Sequence, residues 1–342
     1  MSDGLHGTKK LKVTIMKKIL AFIVLSVAMV SCYEEYLLDY PITGIYFPIQ
    51  QDVRTFVVGE GMQFKVGATL GGVRQNKTDR NVNFILDPEL ITAAQLAKMK
   101  SASQNHVKNP TASVTALELL PQTHYTLSNN SVMVIKSGWH TGTVTVKADS
   151  TAYLNDSLKT CRTSTYVLPF YITDADADTI LESRRSNVVG TIFEHMLYGN
   201  YWHGGSARVE RPGKADSTVN YFTTIPTLEN KIWALTTVGP QTLTINSYFN
   251  ATSGSAEQMR LVLRGNNVFL GALASSAFTI ENDGQSTFNR SKLLQDRRLF
   301  LKYKFTDPVS GYTYHCTDTL RFRNRIRDGI NEWQDENPSH YE

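Results

Sequence analysis

The chain has 342 residues, of which 41% are hydrophobic and 19% are charged, and its formal net charge at pH 7 is +4. This composition is typical of a globular protein with real cores and excludes a disordered chain. Five of the lysines, Lys9, Lys10, Lys12, Lys17 and Lys18, lie ahead of the predicted cleavage site described next. The remaining chain is therefore close to neutral, which argues against a nucleic-acid partner.

The first residues have the layout of a secretory signal. Lys17 and Lys18 precede an apolar run from Ile19 to Val30, and Ser31 stands directly before Cys32. The run, about 12 residues long, is too short to cross a hydrocarbon core that needs roughly 20 residues. Ser31-Cys32 resembles a bacterial lipobox, which implies that residues 1–31 are removed and that Cys32 carries lipid. Residues 32–39 are then a tether; the alternative is an uncleaved anchor or a buried apolar strand.

Residues 40–175 read as a β-domain. Short runs rich in β-branched and aromatic residues alternate with Gly, Asn and Pro turn signals at roughly ten-residue spacing, which is typical of an immunoglobulin-like β-sandwich. Clear examples of such strands are Met62–Gly67, Asn81–Leu86 and Thr143–Lys147. Between them, 88–99 has the composition of one short helix, and the polar segment 101–110 is expected to be a loop.

Residues 176–186 are expected to form a solvated linker. The alternating acids Asp174, Asp176 and Asp178 suggest a calcium loop, but an EF-hand needs Gly at its sixth position and Glu at its twelfth. Thr179 and Arg185 occupy those positions. No metal site is predicted, and the scattered histidines do not have metal-ligand spacing.

Residues 187–342 are predicted to be a second β-domain, either a sandwich or a flattened barrel. Its clearest feature is a hairpin in which the strands Arg298–Phe305 and Tyr312–Phe322 flank a turn with Pro308 and Gly311. The predicted fold class is therefore all-β with two domains. Cys161 and Cys316 lie far apart in the sequence and are expected to be two buried free thiols, the alternative being a disulfide.

Two resemblances to known families cover nearly all of the chain after the leader. The order of Leu120-Pro121, Tyr125–Leu127, Thr143–Val146 and Tyr166–Thr173 resembles the N-terminal domain of Bacteroidetes surface lipoproteins of the DUF1735 group. The start at Asn200-Tyr201-Trp202 and the end through Trp333 resemble the DUF4361 domain that commonly follows it. Glu34-Glu35 after the lipobox resembles the signal that exports such lipoproteins to the cell surface.

Catalytic motifs are missing from the sequence. There is no Gly-x-Ser-x-Gly elbow, no His-Glu-x-x-His, no Gly-rich phosphate loop and no Cys-x-x-Cys. Glycosidase chemistry needs two carboxylates roughly 5 to 10 Å apart, and no acid of the second domain lies in a recognisable catalytic motif. We therefore expect a protein that is not an enzyme, with no cofactor.

Residues suited to binding sugar rings are easier to find. Tyr201, Trp202 and His203 stand beside two glycines that favour an exposed loop, and Arg208 follows for polar contacts. Trp139, in the polar turn at Gly138, is also predicted to be exposed. The alternative is that Tyr201 and Trp202 are core residues, as aromatic residues of β-domains usually are.

Together, the resemblances to the DUF1735 group and the DUF4361 domain imply an outer-membrane lipoprotein that is exposed at the cell surface. Such a protein captures glycans as an accessory to polysaccharide uptake. The lipid at Cys32 would anchor it, a TonB-dependent transporter would be its partner, and the second domain would carry the ligand site. The alternatives are a structural or adhesive surface lipoprotein and a cryptic glycoside hydrolase.

Overall fold

The computed structural model describes residues 40–221, 230–251, 258–273 and 279–335. Within these ranges the chain is built mainly of β-strands, joined by turns and a few short helices. The expected all-β fold class with two domains is confirmed. None of the helices in these ranges is long and apolar enough to cross a membrane.

The N-terminal domain is a sandwich of two sheets. Its strands are β1 (Gly44–Tyr46), β2 (Gln51–Val58), β3 (Gln63–Gly71), β4 (Arg80–Leu86), β5 (Glu118–Leu119), β6 (Tyr125–Leu127), β7 (Val132–Ile135), β8 (Thr141–Ala148), β9 (Tyr166–Ala175), β10 (Thr179–Ile180) and β11 (Ser186–His195). One sheet has the order β10-β1-β3-β8-β6 and the other the order β2-β11-β9-β4-β7, with β5 added beside β9. Residues from both sheets, such as Phe56, Phe64, Val146 and Phe170, fill one core between them.

The burial pattern of each strand in this domain depends on whether one or both faces of its sheet are covered by other parts of the protein. β3 and β8 alternate buried and accessible residues, because only one of their faces meets the core. β11 is buried along nearly its whole length. Its second face is covered by two helices, whose Leu96, Met99 and Val107 pack with Ile192 in a separate small core.

Short helices interrupt the strands. They are α1 (Ala93–Lys100), α2 (Asn105–Thr111), α3 (Ser150–Asn155) and α4 (Ser157–Thr160), together with single 3₁₀ turns at Pro88–Leu90, Gln122–His124, Glu182–Arg184 and Leu294–Asp296. The helix predicted at 88–99 is thus a 3₁₀ turn followed by α1, which the Thr92 hydroxyl caps. The loop predicted at 101–110 is wrong because α2 lies there. Burial of Val107 against the sheet stabilises a helix that the polar composition conceals.

The boundary between the domains lies later in the chain than the sequence predicts. β11 pairs in parallel with β2 from Val188↔Gln51 to His195↔Val58 and antiparallel with β9, so it is an inner strand of the N-terminal sandwich. The start of the second domain predicted at residue 187 is therefore wrong. The segment 176–186 is not a solvated linker either, since it contains β10 and since the Asp178 carboxylate accepts a hydrogen bond from the Thr43 amide.

The second domain is a closed antiparallel barrel, which decides between the two predicted alternatives. Its strands are β12 (Gly199–Glu210), β13 (Ser217–Tyr221), β14 (Lys231–Gly239), β15 (Thr242–Ile245), β16 (Met259–Arg264), β17 (Asn267–Ala272), β18 (Glu281–Asn282), β19 (Ser286–Phe288), β20 (Arg298–Thr306), β21 (Thr313–Arg327) and β22 (Ile330–Glu332). Pairing runs β12-β14-β15-β16-β17-β19-β20-β21, and β21 pairs back with β12. Cys316 is buried in this domain, Cys161 is half-buried in the first, and both thiols are free, as expected.

A buried ion network joins the two domains. Glu60 follows β2 in the sandwich, and its carboxylate lies 2.7 Å from Arg297 Nη2 and 2.9 Å from Arg325 Nη2 of the barrel. Arg327 Nη1 is 3.3 Å from the same carboxylate. These guanidinium groups lower the pKa of Glu60 to about 2 despite its burial. The network fixes the barrel against the sandwich and so shapes the cleft between them.

Candidate functional site

A cleft of about 340 Å³ lies between the two domains. It is lined by α2, by the middle of β2, by the last part of β11, and by the turn between β21 and β22. The residues that carry its chemistry are Asn105, His106, Arg162, Glu194, Tyr198 and Asp328. A concave surface with a few convergent polar groups between domains is where ligand sites usually occur.

The turn between β21 and β22 forms one wall of the cleft. Arg327 pairs with Ile330, so Asp328 and Gly329 are the two central residues, both with left-handed φ angles of 50° and 80°. Asp-Gly is a preferred sequence for such a turn. The turn contacts the sandwich, where Thr55 Oγ1 donates a hydrogen bond of 2.7 Å to Asp328 Oδ1. The barrel therefore contributes to the cleft through a rigid hairpin end.

Glu194 and Arg162 face each other inside the cleft. Arg162 Nε lies 3.6 Å from Glu194 Oε1, and the guanidinium carbon lies 5.6 Å from the centre of the Tyr198 ring. The Glu194 side chain is 9% exposed, and its burial raises its pKa to about 7 in spite of the nearby arginines. This carboxyl group can therefore exchange a proton near neutral pH, which is characteristic of functional sites.

Two further acids beside the cleft are also perturbed. Burial raises the pKa of Asp52, although Arg54 and His106 oppose the shift. His106 Nε2 is 3.1 Å from Asp52 Oδ1. Burial likewise raises the pKa of Asp328, against the effect of Arg54, whose Nε is 3.4 Å from Asp328 Oδ2. Unlike Glu194, both of these acids have close hydrogen-bond partners within the protein.

Replacing Glu194 by glutamine should make the protein more stable at alkaline pH. In the folded state the pKa of Glu194 is about 7, against an ordinary value of 4.5 for a glutamate carboxyl group. Its contribution to stability is therefore present below pH 4.5 and is lost as the pH rises to 7, a difference of roughly 3 kcal/mol. Glu194→Gln should gain up to that amount at pH 8 and little at pH 4.5, measured by urea unfolding. The exposed Glu281→Gln is the control, and equal gains at both pH values would contradict the assignment.

The aromatic segment predicted as an exposed loop is a strand. Residues 199–210 form β12, which pairs with β14 and β21 on its two sides. Tyr201 and His203 point into the barrel, where they are 0% and 2% exposed, so neither can contact a ligand at the surface. The period of two along a strand sends Trp202 outward between them. The core alternative therefore holds for Tyr201 but not for Trp202, and His203, predicted to bind ligand, is buried as well.

Inside the barrel His203 belongs to a buried polar cluster. Its ring stacks on Trp233 with centroids 3.6 Å apart, and its Nε2 lies 3.2 Å from Asp318 Oδ2. Asp318 accepts hydrogen bonds from the hydroxyls of Tyr221 and Tyr303. Burial raises the pKa of both tyrosines, so their hydroxyls remain donors. This cluster stabilises the barrel interior.

The other predicted binding residues lie apart from the cleft. Trp202 is half-buried on the outside of the barrel, with the Arg323 guanidinium carbon 5.0 Å from the centre of its ring. Arg208 is exposed and pairs with Asp216 at 2.7 Å. Trp139 is 69% exposed in a turn of the sandwich, as expected. Cys32 and the rest of the predicted signal lie outside the described residues.

Sequence reasoning did not identify the cleft residues. Glu194 follows the apolar run Val188–Phe193 and reads as the end of a strand, while Arg162 follows a half-buried cysteine in a turn. The one signal that could have pointed to Glu194 is its position at the end of a nearly continuous apolar strand. Carboxylates are rarely buried unless they are paired or functional, so a glutamate there indicates a candidate site.

Comparison with known proteins supports the fold and finds a family model that matches the first domain. Residues 39–179 match a family model that describes an N-terminal domain. No curated protein matches the sequence. A structural-genomics protein of unknown function from Bacteroides ovatus is 15% identical, with a TM-score of 0.59 over 87% of this chain and 99% of that chain.

Two other Bacteroides ovatus structures are less similar. A multidomain protein including DUF1735 is 12% identical, with a TM-score of 0.38 over 85% of this chain and 99% of that chain. A candidate carbohydrate-binding protein is 11% identical, with a TM-score of 0.29 over 85% of this chain and 79% of that chain. The first domain of this chain is therefore similar to the N-terminal domain that the matching family model describes.

Proposed function

We propose that this protein is a surface lipoprotein of the outer membrane that binds glycans in the cleft between its two domains. The observation that carries the proposal is the cleft itself, where a half-buried tyrosine, Tyr198, lines the same concavity as polar side chains of α2. Its volume of about 340 Å³ falls in the range of small-molecule sites, which begins at roughly 300 Å³.

The composition of the cleft suits a sugar ring. The flat Tyr198 side chain offers area for the apolar C–H face of a sugar with few rotamers to freeze. Asn105 and Asn109 lie one helical turn apart on α2, are exposed, and carry amides that both donate and accept hydrogen bonds. The resemblance to surface lipoproteins of the DUF1735 group supports the same ligand class.

Removing the Tyr198 ring should weaken glycan binding by about tenfold or more, which corresponds to roughly 1.4 kcal/mol. The measurement is isothermal titration of the mature protein in detergent against a panel of oligosaccharides, with wild type and Tyr198→Ala compared. Trp202→Ala and Trp139→Ala are matched controls that remove aromatic rings elsewhere on the surface. If Trp202→Ala abolishes binding and Tyr198→Ala does not, the ligand site is the outer face of the barrel. If no oligosaccharide binds, the protein is a structural or adhesive one.

Glycoside hydrolysis is a second candidate function, favoured by the raised pKa of Glu194, which a general acid needs. The other acids at the cleft, Asp52 and Asp328, are held by His106, Arg54 and Thr55, which leaves them poorly placed as nucleophile or base. Release of new reducing ends from the oligosaccharide panel, lost in Glu194→Gln, would establish hydrolysis instead of simple binding.

Attachment to the membrane is the other part of the proposal. Lipid on Cys32 would tether the protein without a membrane span, and a TonB-dependent transporter would receive the captured glycan. Wild-type protein should fractionate with the outer membrane and be accessible to protease on intact cells, whereas Cys32→Ser should be recovered in the soluble fraction. A Cys32→Ser protein that remains membrane-bound would indicate an uncleaved anchor.

A further inference from the structure

Arg162 is the cation of the cleft that has no hydrogen-bond partner within the described residues. The other basic side chains of the cleft have acidic partners within the protein. Arg327 pairs with Glu332 and Glu60, and His106 lies 3.1 Å from Asp52. Arg162 is 42% exposed, and its nearest acid is Glu194 at 3.6 Å, beyond hydrogen-bond distance. A guanidinium group held at a cleft without its hydrogen bonds is available to a ligand.

The backbone at Arg162 supports a functional role. Its φ angle of 56° is left-handed, a conformation that costs a residue other than glycine free energy and that concentrates at ligand sites. An isolated parallel bridge pairs its neighbour Cys161 with Phe193 of β11. This bridge places Arg162 beside Glu194 and directs both side chains to the same cleft.

Glu194 complements this cation as a hydrogen-bond donor. Its carboxyl group forms no hydrogen bond within the described part of the chain, although its side chain is only 9% exposed. A protonated carboxyl group donates one hydrogen bond, and an arginine fork donates two to a carboxylate. The two groups together therefore match a ligand carboxylate better than they match a neutral hydroxyl.

We infer that the cleft selects glycans that carry carboxylates, such as uronic acid residues, by pairing the sugar carboxylate with Arg162 and donating to it from protonated Glu194. The inference rests on the proposed glycan-binding function and adds the chemical class of the ligand. Tyr198, which lies against Arg162, would support the ring of the same sugar.

The charges around Glu194 determine how the affinity for acidic glycans changes with pH. The groups that face it are Arg162, Arg325, Arg327, Asp328 and Tyr198. Arg325 and Arg327 share Glu60 and Glu332 with Arg297, so these five groups keep one net positive charge. When Glu194 ionises it loses its donor proton, pairs with Arg162 and repels a second carboxylate. Affinity for acidic glycans should therefore fall as the pH rises through 7, the region where Glu194 titrates.

The test uses pairs of ligands that differ only in the carboxylate. Oligomers of galacturonate, glucuronate and mannuronate are titrated into the mature protein in detergent, each beside its neutral methyl ester, at pH 6 and pH 8. At least one acid should bind about tenfold tighter than its ester at pH 6, and this preference should shrink at pH 8. If every ester binds as well as its acid at both pH values, or if neutral glycans of a wider panel are the ligands that bind, the inference is wrong and the proposed function stands. If no glycan of either kind binds, the proposed function fails as well.

Two variants separate the roles of the pair. Arg162→Asn, which tolerates the left-handed backbone, should lose about tenfold in affinity for the acid and none for the ester. Glu194→Gln keeps a hydrogen-bond donor but cannot ionise, so it should bind the acid at pH 8 as well as at pH 6. A Glu194→Gln protein that retains the pH dependence of the wild type would overturn the role of Glu194. Thermal melting of both variants checks that they remain folded.

Discussion

Replacing Glu60 by glutamine should destabilise the protein by about 3–5 kcal/mol, the range measured when one partner of a buried ion pair is removed. The Glu60 side chain is 3% exposed, and the side chains of Arg297 and Arg325 beside it are 0% and 2% exposed. Without the carboxylate, Arg297 loses this ion pair and keeps its hydrogen bonds to backbone carbonyl groups, while Arg325 and Arg327 keep Glu332. Urea unfolding at pH 7 measures the loss.

The same carboxylate should make stability depend on acid pH. The pKa of Glu60 is lowered from 4.5 to about 2 in the folded protein. Its stabilisation, roughly 3 kcal/mol, is therefore present above pH 4.5 and is lost as the pH falls towards 2. Wild type should lose this amount between pH 5 and pH 2, and Glu60→Gln should not show that part of the loss.

A matched control distinguishes the buried network from surface pairs. Glu182 is 76% exposed and pairs with Arg185 at 2.8 Å within one turn. Glu182→Gln should change stability by less than about 1 kcal/mol, as exposed ion pairs do. Because Glu60 belongs to the sandwich and its arginines to the barrel, Glu60→Gln should also separate the unfolding of the two domains into two transitions. A single transition with an unchanged midpoint would contradict the role given to Glu60.

Replacing Asp318 by alanine should cost the barrel roughly 3–5 kcal/mol, because each buried polar group left unpaired costs about 1–3 kcal/mol. The Asp318 side chain is fully buried, accepts a hydrogen bond of 2.7 Å from the Tyr303 hydroxyl and another from Tyr221, and lies 3.2 Å from His203 Nε2. Removing it leaves the Tyr303 hydroxyl without its acceptor and the Tyr221 hydroxyl with only the Ser206 carbonyl oxygen, in a packed interior.

Asp318→Asn is the informative companion variant. Its amide oxygen still accepts a hydrogen bond while the charge is gone, so the loss of stability should be smaller than in Asp318→Ala. Asp216, which is 46% exposed and pairs with Arg208, provides the control, and Asp216→Ala should cost less than about 1 kcal/mol. Thermal unfolding followed by near-ultraviolet circular dichroism, to which the buried Trp233 contributes, measures the loss. If Asp318→Ala melts like wild type, the cluster does not stabilise the barrel.

Strands and turns were predictable because their signals are local. Thr143–Lys147 alternates polar and apolar residues, and it lies within β8 with Val144 and Val146 in the core. The hairpin predicted around Pro308 and Gly311 is formed by β20 and β21, and Gly311 has the left-handed φ of 71° that the turn needs. Side-chain alternation and turn chemistry depend on neighbouring residues alone.

The aromatic segment shows where local reasoning fails. Glycines beside Tyr201, Trp202 and His203 suggested an exposed loop, but Gly205 is required by packing. A Cβ atom at that position would lie 2.4 Å from the Thr317 carbonyl oxygen of the paired strand. The glycine permits the close approach of β12 and β21 that closes the barrel, and this approach is a contact between residues more than a hundred positions apart.

The sequence by itself determined many of the strands and turns and the all-β class, because each follows from patterns a few residues long. Only the tertiary structure decided that β11 belongs to the first domain, that the second domain closes into a barrel and that Arg162 meets Glu194 in a cleft. Each of these depends on pairing between distant segments, such as the bridge between Cys161 and Phe193, which leaves no local trace in the chain. The physical reason is that a strand's pattern specifies which face is buried, not which strand lies beside it.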